Sequence, residues 1–156
     1  MEISSNDGWR QTHLGYLMGR ALQQFDARVL GLMAHNVEVP LGLSNLAARG
    51  QVGAAHIHIT RHLALKGSRL TELAASAGMS KQAMVNLVDQ CEAWGLVTRS
   101  ADPRDARAKQ VAFSATGLIW LKAFQDAVAQ AEDELRQAVG NEVAAVIAIG
   151  LEAYAA

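Results

Sequence analysis

Two short helices joined by a tight turn constrain this chain more than any other feature in it. In the stretch TELAASAGMSKQAMVNLVDQCEAWG, Thr71 is placed to cap the first helix, and Gly78 supplies the left-handed residue that ends it. Ser80 then caps a second helix that Gly95 terminates. In that second helix Met84, Leu87, Val88 and Cys91 stack on one face, while Gln82, Val85, Asn86 and Asp89 occupy the other, with Lys81 at the entry. A short helix, a glycine turn and an amphipathic helix with a polar outer face make the helix-turn-helix plan.

The next segment is of a different kind. Leu96–Ser100 (LVTRS) and Ala108–Ser114 (AKQVAFS) are β-branched or alternating runs, and Ala101–Arg107 joins them. The pattern predicts a hairpin with a longer loop, its charged tip formed by Asp102, Arg104, Asp105 and Arg107 around Pro103. Val111 and Phe113 face the helices, and Gln110 and Ala112 lie on the other side. The hairpin is therefore a β-wing attached to the helix-turn-helix.

The flanks read as helix. Asn6 or Asp7 can cap a helix from about Gly8 to His35, whose apolar positions from Leu14 to Met33 follow three-four spacing. Such length points to packing against a partner rather than to a small core. Residues 37–50 form a connection with a short helix near Ser44–Arg49, and a helix covers Val52 to Ala64. Ser114 can cap a helix to about Val139, Gly140-Asn141 breaks it, and Val143 to Tyr154 forms a last apolar helix. Trp9, Trp94 and Trp120 are read as core or interface residues. The expected fold is mainly α with a small β-wing: a winged helix at 41–114, with helical dimerisation segments at 1–40 and 115–156.

Composition narrows the function classes. One cysteine excludes an internal disulfide framework and makes a reducing cytoplasm the expected compartment. The N-terminus has no apolar signal segment, and the last apolar stretch meets Glu152 too early to span a bilayer, so no membrane role is expected. Net charge is −1, but between residues 60 and 110 eight Lys/Arg face five acids, against six and ten elsewhere. A basic middle between acidic ends is consistent with an anion-binding centre. No nucleotide loop, catalytic set or carboxylate pair is visible, so neither an enzyme nor a cofactor is expected.

A recognition helix must fit a major groove about 12 Å wide and present polar side chains from its N-terminal half. Ser80, Lys81, Gln82, Val85 and Asn86 meet that need: Gln and Asn can bond adenine edges, and Lys81 can meet phosphate or guanine. At the wing, Arg104 and Arg107 suit a phosphate or a narrow minor groove, with Asp105 placed to brace Arg107 through a bidentate pair. Arg99 and Lys109, on the wing strands, complete the set of candidate DNA contacts. A solvated polar loop accounts for the same tip residues equally well on spacing alone.

From Leu70 to Gly117 the chain resembles the winged helix of MarR-family (multiple antibiotic resistance regulator) transcription regulators. Gly95-Leu96-Val97-Thr98-Arg99 matches the family's Gly-Leu-Val-x-Arg strand, and Asp105-Ala106-Arg107 matches its Asp-x-Arg wing. Ser114-Ala115-Thr116-Gly117 matches its Thr-x-x-Gly helix start with serine for threonine, and Cys91 stands where relatives commonly have leucine. The resemblance implies a homodimer with interlocking N- and C-terminal helices, acting as a repressor on a pseudo-palindromic double-stranded operator, with Arg107 entering the minor groove. It also implies a small-molecule effector between the terminal helices and the winged helix, where Tyr16, His58 and His62 are the candidate contacts. Two other readings stand beside it. One is a metal sensor using His58 and His62, an i,i+4 pair without an adjacent third ligand; the other is a winged helix used only for protein contacts. Cys91 invites a redox reading, but it sits on the inward face with Glu92 beside it, which does not suit a sensor thiol.

Overall fold

In the computed structural model, which describes residues 5–156, these patterns become seven α-helices and a three-stranded sheet over the described residues. In chain order they are α1 (Leu14–Ala34), α2 (Leu41–Ala48), α3 (Ala54–His62), β1 (Ser68–Arg69), α4 (Leu70–Ser76), α5 (Lys81–Ala93), β2 (Val97–Asp102), β3 (Asp105–Phe113), α6 (Ala115–Val139) and α7 (Asn141–Ala155). The sheet is antiparallel with order β1-β3-β2, and it completes a winged helix between long terminal helices.

Local chemistry explains where the elements begin and end. The first long helix starts at Leu14 and not near Gly8. The Asn6 side chain accepts from Gly8 N–H at 3.0 Å, an Asx turn that leads into a single 3-10 turn at Gly8–Gln11. Asp7 makes no cap bond, and the cap of α1 is His13, whose Nδ1 accepts the Tyr16 N–H at 3.2 Å. Similarly, α4 is not capped by Thr71. Pairing of β1 with β3 holds Arg69 extended, so the helix starts at Leu70, and Glu72 accepts the Arg69 N–H at 3.1 Å. Gly78, at φ +65°, ends the α4 turn in the left-handed region, and Ser80 Oγ caps α5 by accepting from Ala83 N–H at 3.2 Å.

The core runs through all the layers. Val29 and Met33 of α1 share one buried cluster with Leu73, Met84, Val88 and Cys91 of the helix-turn-helix and Val97 and Val111 of the wing, all essentially inaccessible. On α6 the buried face is Gly117, Trp120, Ala123, Ala127 and Ala131, a stripe of mostly small residues that admits a close neighbour. Gly117 permits the closest approach of all: a Cβ there would lie 1.9 Å from the Leu96 carbonyl oxygen. Polar ties fix the helices against each other. Arg28 grips Glu134 through two bonds of 2.7 and 2.8 Å, Arg61 bonds the buried Asp26 at 2.6 Å, and the Trp120 indole N–H donates to Thr60 Oγ1 at 3.2 Å.

The terminal helices differ from the centre. On α1, Leu14, Leu17, Met18 and Leu22 are exposed, and α7 buries no residue although Val143, Val146, Ile147, Ile149 and Leu151 line it. No single helix among the described residues is long and apolar enough to cross a membrane, and α6 and α7 meet at a bend of 117°.

Candidate nucleic-acid interface

The inward face of α5 is Met84, Leu87, Val88 and Cys91, all buried, so the helix can present only its opposite face. On that face Lys81, Gln82 and Asn86 are exposed and Val85 is half-buried. Gln82 Nε2 donates to Asn86 Oδ1 at 3.3 Å, which joins the two candidate base-reading amides one helical turn apart. Behind α5, the half-buried His56 on α3 accepts the Gly53 N–H through Nδ1 at 3.0 Å. Its other ring nitrogen therefore carries the proton, which it donates to Gln90 of α5 at 2.6 Å, while the ring lies 4.8 Å from that of Trp94. These contacts set the placement of α5 on its scaffold, and no local sequence signal marks them.

The wing is longer and tighter than expected. The strands continue to Asp102 and from Asp105, leaving Pro103-Arg104 as the turn in place of a loop over 101–107. Asp102 pairs with Asp105 but Ala101 pairs with Lys109, so Ala106, Arg107 and Ala108 have no opposite residues. Such a bulge re-aims a side chain out of the ladder. Arg107 sits in its middle with 95% of its side chain exposed. Its backbone N–H donates to Asp105 Oδ1 at 3.1 Å and its Nε lies 3.5 Å from the same oxygen, a one-oxygen brace and not the expected bidentate pair.

The remaining wing cations separate into two kinds. Lys109 is exposed on β3. Arg99 instead turns onto the acids of α5, at 2.5 Å from Asp89 and 3.8 Å from Glu92, and ties β2 to that helix. Arg104 folds back onto the protein, donating to Asp102 through its backbone N–H (2.8 Å), Nε and Nη2 (both 3.3 Å) and approaching Glu72 at 3.5 Å.

Asp102 is the centre of this network, and its side chain is completely buried. One oxygen takes the Arg104 backbone N–H and Nε, and the other takes Arg69 Nε and Arg104 Nη2. The Arg104 backbone N–H, then the Arg69 and Arg104 side chains, hold the carboxyl well below the usual carboxylate range. Glu72 spans the same two arginines, accepting the Arg69 N–H and approaching the Arg104 guanidinium. The result bolts the turn of the wing to the first turn of α4. The sequence pointed to Thr71 as the start of α4, so the roles of Arg69 and Glu72 in this clamp were not visible in it. Nor was the burial of Asp102.

The candidate effector residues lie on two different helices. His58 and His62 stack on α3 with ring centroids 6.2 Å apart. Burial, then the charges of His58 and Arg61, push the His62 imidazole below its ordinary range. Tyr16 contacts the His13 ring at 6.3 Å, near the start of α1. The Asp26–Arg61 tie, by which α1 grips α3, lies ten residues further along α1, or about 15 Å of helix. Among the described residues no group of three or more His, Cys, Asp or Glu could hold a metal ion. The Cys91 thiol is pushed up to about 12 by burial, which does not suit a redox sensor.

Known proteins share this architecture. Residues 58–108 match the model of the MarR family. Among solved structures, the chain is similar to the transcriptional repressor CouR bound to a 23-mer DNA duplex, with 22% identity, full coverage of both chains and a TM-score of 0.67. It is also similar to a MarR-family transcriptional regulator from Rhodococcus sp. RHA1, with 20% identity, 97% and 96% of the two chains covered and a TM-score of 0.68. A third is CouR from Rhodococcus jostii RHA1 bound to p-coumaroyl-CoA, with 21% identity, 93% of each chain covered and a TM-score of 0.66. At these identities the structural likeness establishes the fold. No curated protein matches the sequence.

Proposed function

Because its central segment is a MarR-family winged helix, we propose that this chain is a homodimeric transcription regulator, a ligand-responsive repressor that binds a pseudo-palindromic operator. The observation that carries the reading is the wing bulge: it holds Arg107 almost fully in solvent, while the other wing arginines, Arg99 and Arg104, are held in internal pairs. On α5, the Ser80-capped N-terminus with Lys81, Gln82 and Asn86 enters the major groove, and Arg107 reaches the adjacent minor groove. The free N–H groups at the start of α5 add donors for a phosphate.

Dimerisation is supported by what the protomer leaves uncovered. Exposed apolar side chains recur along both α1 and α7, the kind of surface that marks an interaction site. A second copy, with its own α1 and α7, covers them and sets two recognition helices about one DNA turn apart, roughly 34–36 Å. An effector bound where α1 of one protomer or its partner approaches His58 and His62 would change that separation. Tyr16 joins such a site only through the dimer, given its distance along α1 from the α1–α3 tie.

Selection of binding sequences from a random duplex library, followed by footprinting, tests the reading. An inverted repeat with half-sites one turn apart is the expected product. Recovery of no sequence, with the protein still dimeric and folded, would favour a winged helix used only for protein contacts.

A further inference from the structure

We propose that Asp102 is a positioning residue for DNA recognition: without touching DNA, its buried carboxylate fixes the wing so that the bulge aims Arg107 at the minor groove. The inference rests on the DNA-binding reading and adds a residue to it.

Beyond the bulge, only the Asp102–Asp105 pair closes the hairpin before its Pro103-Arg104 turn. Two carboxylates opposite one another across strands repel, so this pair holds only if each is neutralised. Arg107 serves Asp105, and Arg69 and Arg104 serve Asp102. The partners differ in what they anchor. Arg107 belongs to the bulge itself, whereas Arg69 belongs to β1 and the start of α4, and Glu72 of α4 engages both Arg69 and Arg104. The closing pair of the wing is thus referenced to the helix-turn-helix through one carboxylate. All four of its acceptor positions are occupied, so it has a single arrangement with little freedom to shift.

The sign of the expected effect separates this role from simple electrostatics. Removing a negative charge near the wing should, through charge alone, tighten binding to any duplex. If Asp102 positions the wing, removing it weakens binding to the operator while binding to unrelated duplex stays the same or strengthens. The assignment also makes Arg104 part of the clamp and leaves Arg107 as the probe.

The test compares wild type, Asp102→Asn and Glu72→Gln as full-length proteins. Each is titrated by fluorescence anisotropy with the selected operator and with an unrelated duplex of the same length, and operator complexes are footprinted. Glu72→Gln keeps an acceptor for the Arg69 N–H and removes one charged partner of Arg104, so it loosens the clamp without emptying a buried site. For Asp102→Asn the ratio of operator to unrelated binding should fall roughly tenfold, comparable to one mismatched base pair. Protection should be lost at the outer flanks, under the wings, and kept in the central major grooves. Glu72→Gln should move both readouts in the same direction by less, and it decides the matter if Asp102→Asn does not fold. Two outcomes overturn the proposal: both duplexes binding more tightly with an unchanged ratio, or unaltered flank protection in folded variants. If wild type itself binds no duplex, it is the DNA-binding reading that fails.

Discussion

Substituting Gly117 by alanine sets two physical expectations against each other. Gly117 lies in the first turn of α6, where helix propensity alone favours alanine over glycine by up to about 1 kcal/mol. The structure predicts the opposite. An added Cβ would lie 1.9 Å from the Leu96 carbonyl oxygen, a backbone atom, so the segment leading into β2 and the start of α6 must part. That carbonyl accepts the Ser114 N–H at 3.0 Å, and Ser114 Oγ in turn caps Gly117 N–H at 2.9 Å, so separation loosens the start of α6 as well. Overpacking a filled interior costs roughly 1–3 kcal/mol and a weakened hydrogen bond about 1 kcal/mol more. With the propensity gain subtracted, the net loss is about 1–3 kcal/mol, or a fall in Tm of roughly 2–12 °C for a chain of this size. Urea unfolding monitored by circular dichroism should be run at one protein concentration, because the proposed dimerisation would contribute to apparent stability. Gly31→Ala, also within a helix but with nothing within 4 Å of the added Cβ, is the control and should be neutral or stabilising. A Gly117→Ala protein as stable as the Gly31→Ala protein would refute the reasoning.

Titration and burial set three further expectations. Native Cys91 should react with an aromatic disulfide reagent at pH 8 far more slowly than a free thiol, because burial holds the thiol near 12; a rate matching the unfolded protein would contradict its placement. His62 is pushed below its ordinary value, so the folded state favours the neutral ring. Stability from this residue is present above the unfolded value of about 6.5 and is lost as pH falls through the lower folded value. His62→Gln should therefore flatten the decline of Tm as pH falls below about 6.5, and an unchanged decline would assign it elsewhere. Asp102 works at lower pH: its stabilisation is present above the ordinary carboxylate value and is lost as pH falls below about 4, so Asp102→Asn should blunt the acid limb of the unfolding profile.

The parts of the fold legible in the sequence are those that repeat or punctuate. The three-four spacing of Met84, Leu87, Val88 and Cys91 located the inward face of α5, and Ser80, Gly78, Gly95, Ser114 and Gly140 marked the ends of elements where the structure has them. What was not legible depends on contact between distant segments. Strand β1 is two residues long in a Lys-Gly-Ser-Arg context that reads as a helix terminator, and only β3 makes it a strand. The tighter wing has the same cause, since nothing local to Asp102 announces that Arg69, over thirty residues away, will bury it. Of the candidate DNA contacts, Lys81, Gln82, Asn86, Arg107 and Lys109 are exposed, Val85 is half-buried, and Arg99 and Arg104 are engaged by acids. One-dimensional spacing cannot tell a cation aimed at solvent from one folded back on its own protein.

Joint binding of duplex DNA by α5 and the wing is the central claim. The most direct measurement is the salt dependence of operator binding for wild type and Arg107→Ala. Wild-type affinity should fall linearly on logarithmic axes with a slope of about −0.9 for each phosphate charge neutralised, and loss of one minor-groove cation from each protomer should make the slope shallower by up to about 1.8 for the dimer. Arg107→Ala should show that shallower slope and weaker binding while remaining dimeric. An affinity indifferent to salt, or an Arg107→Ala protein with the wild-type slope and affinity, would contradict it.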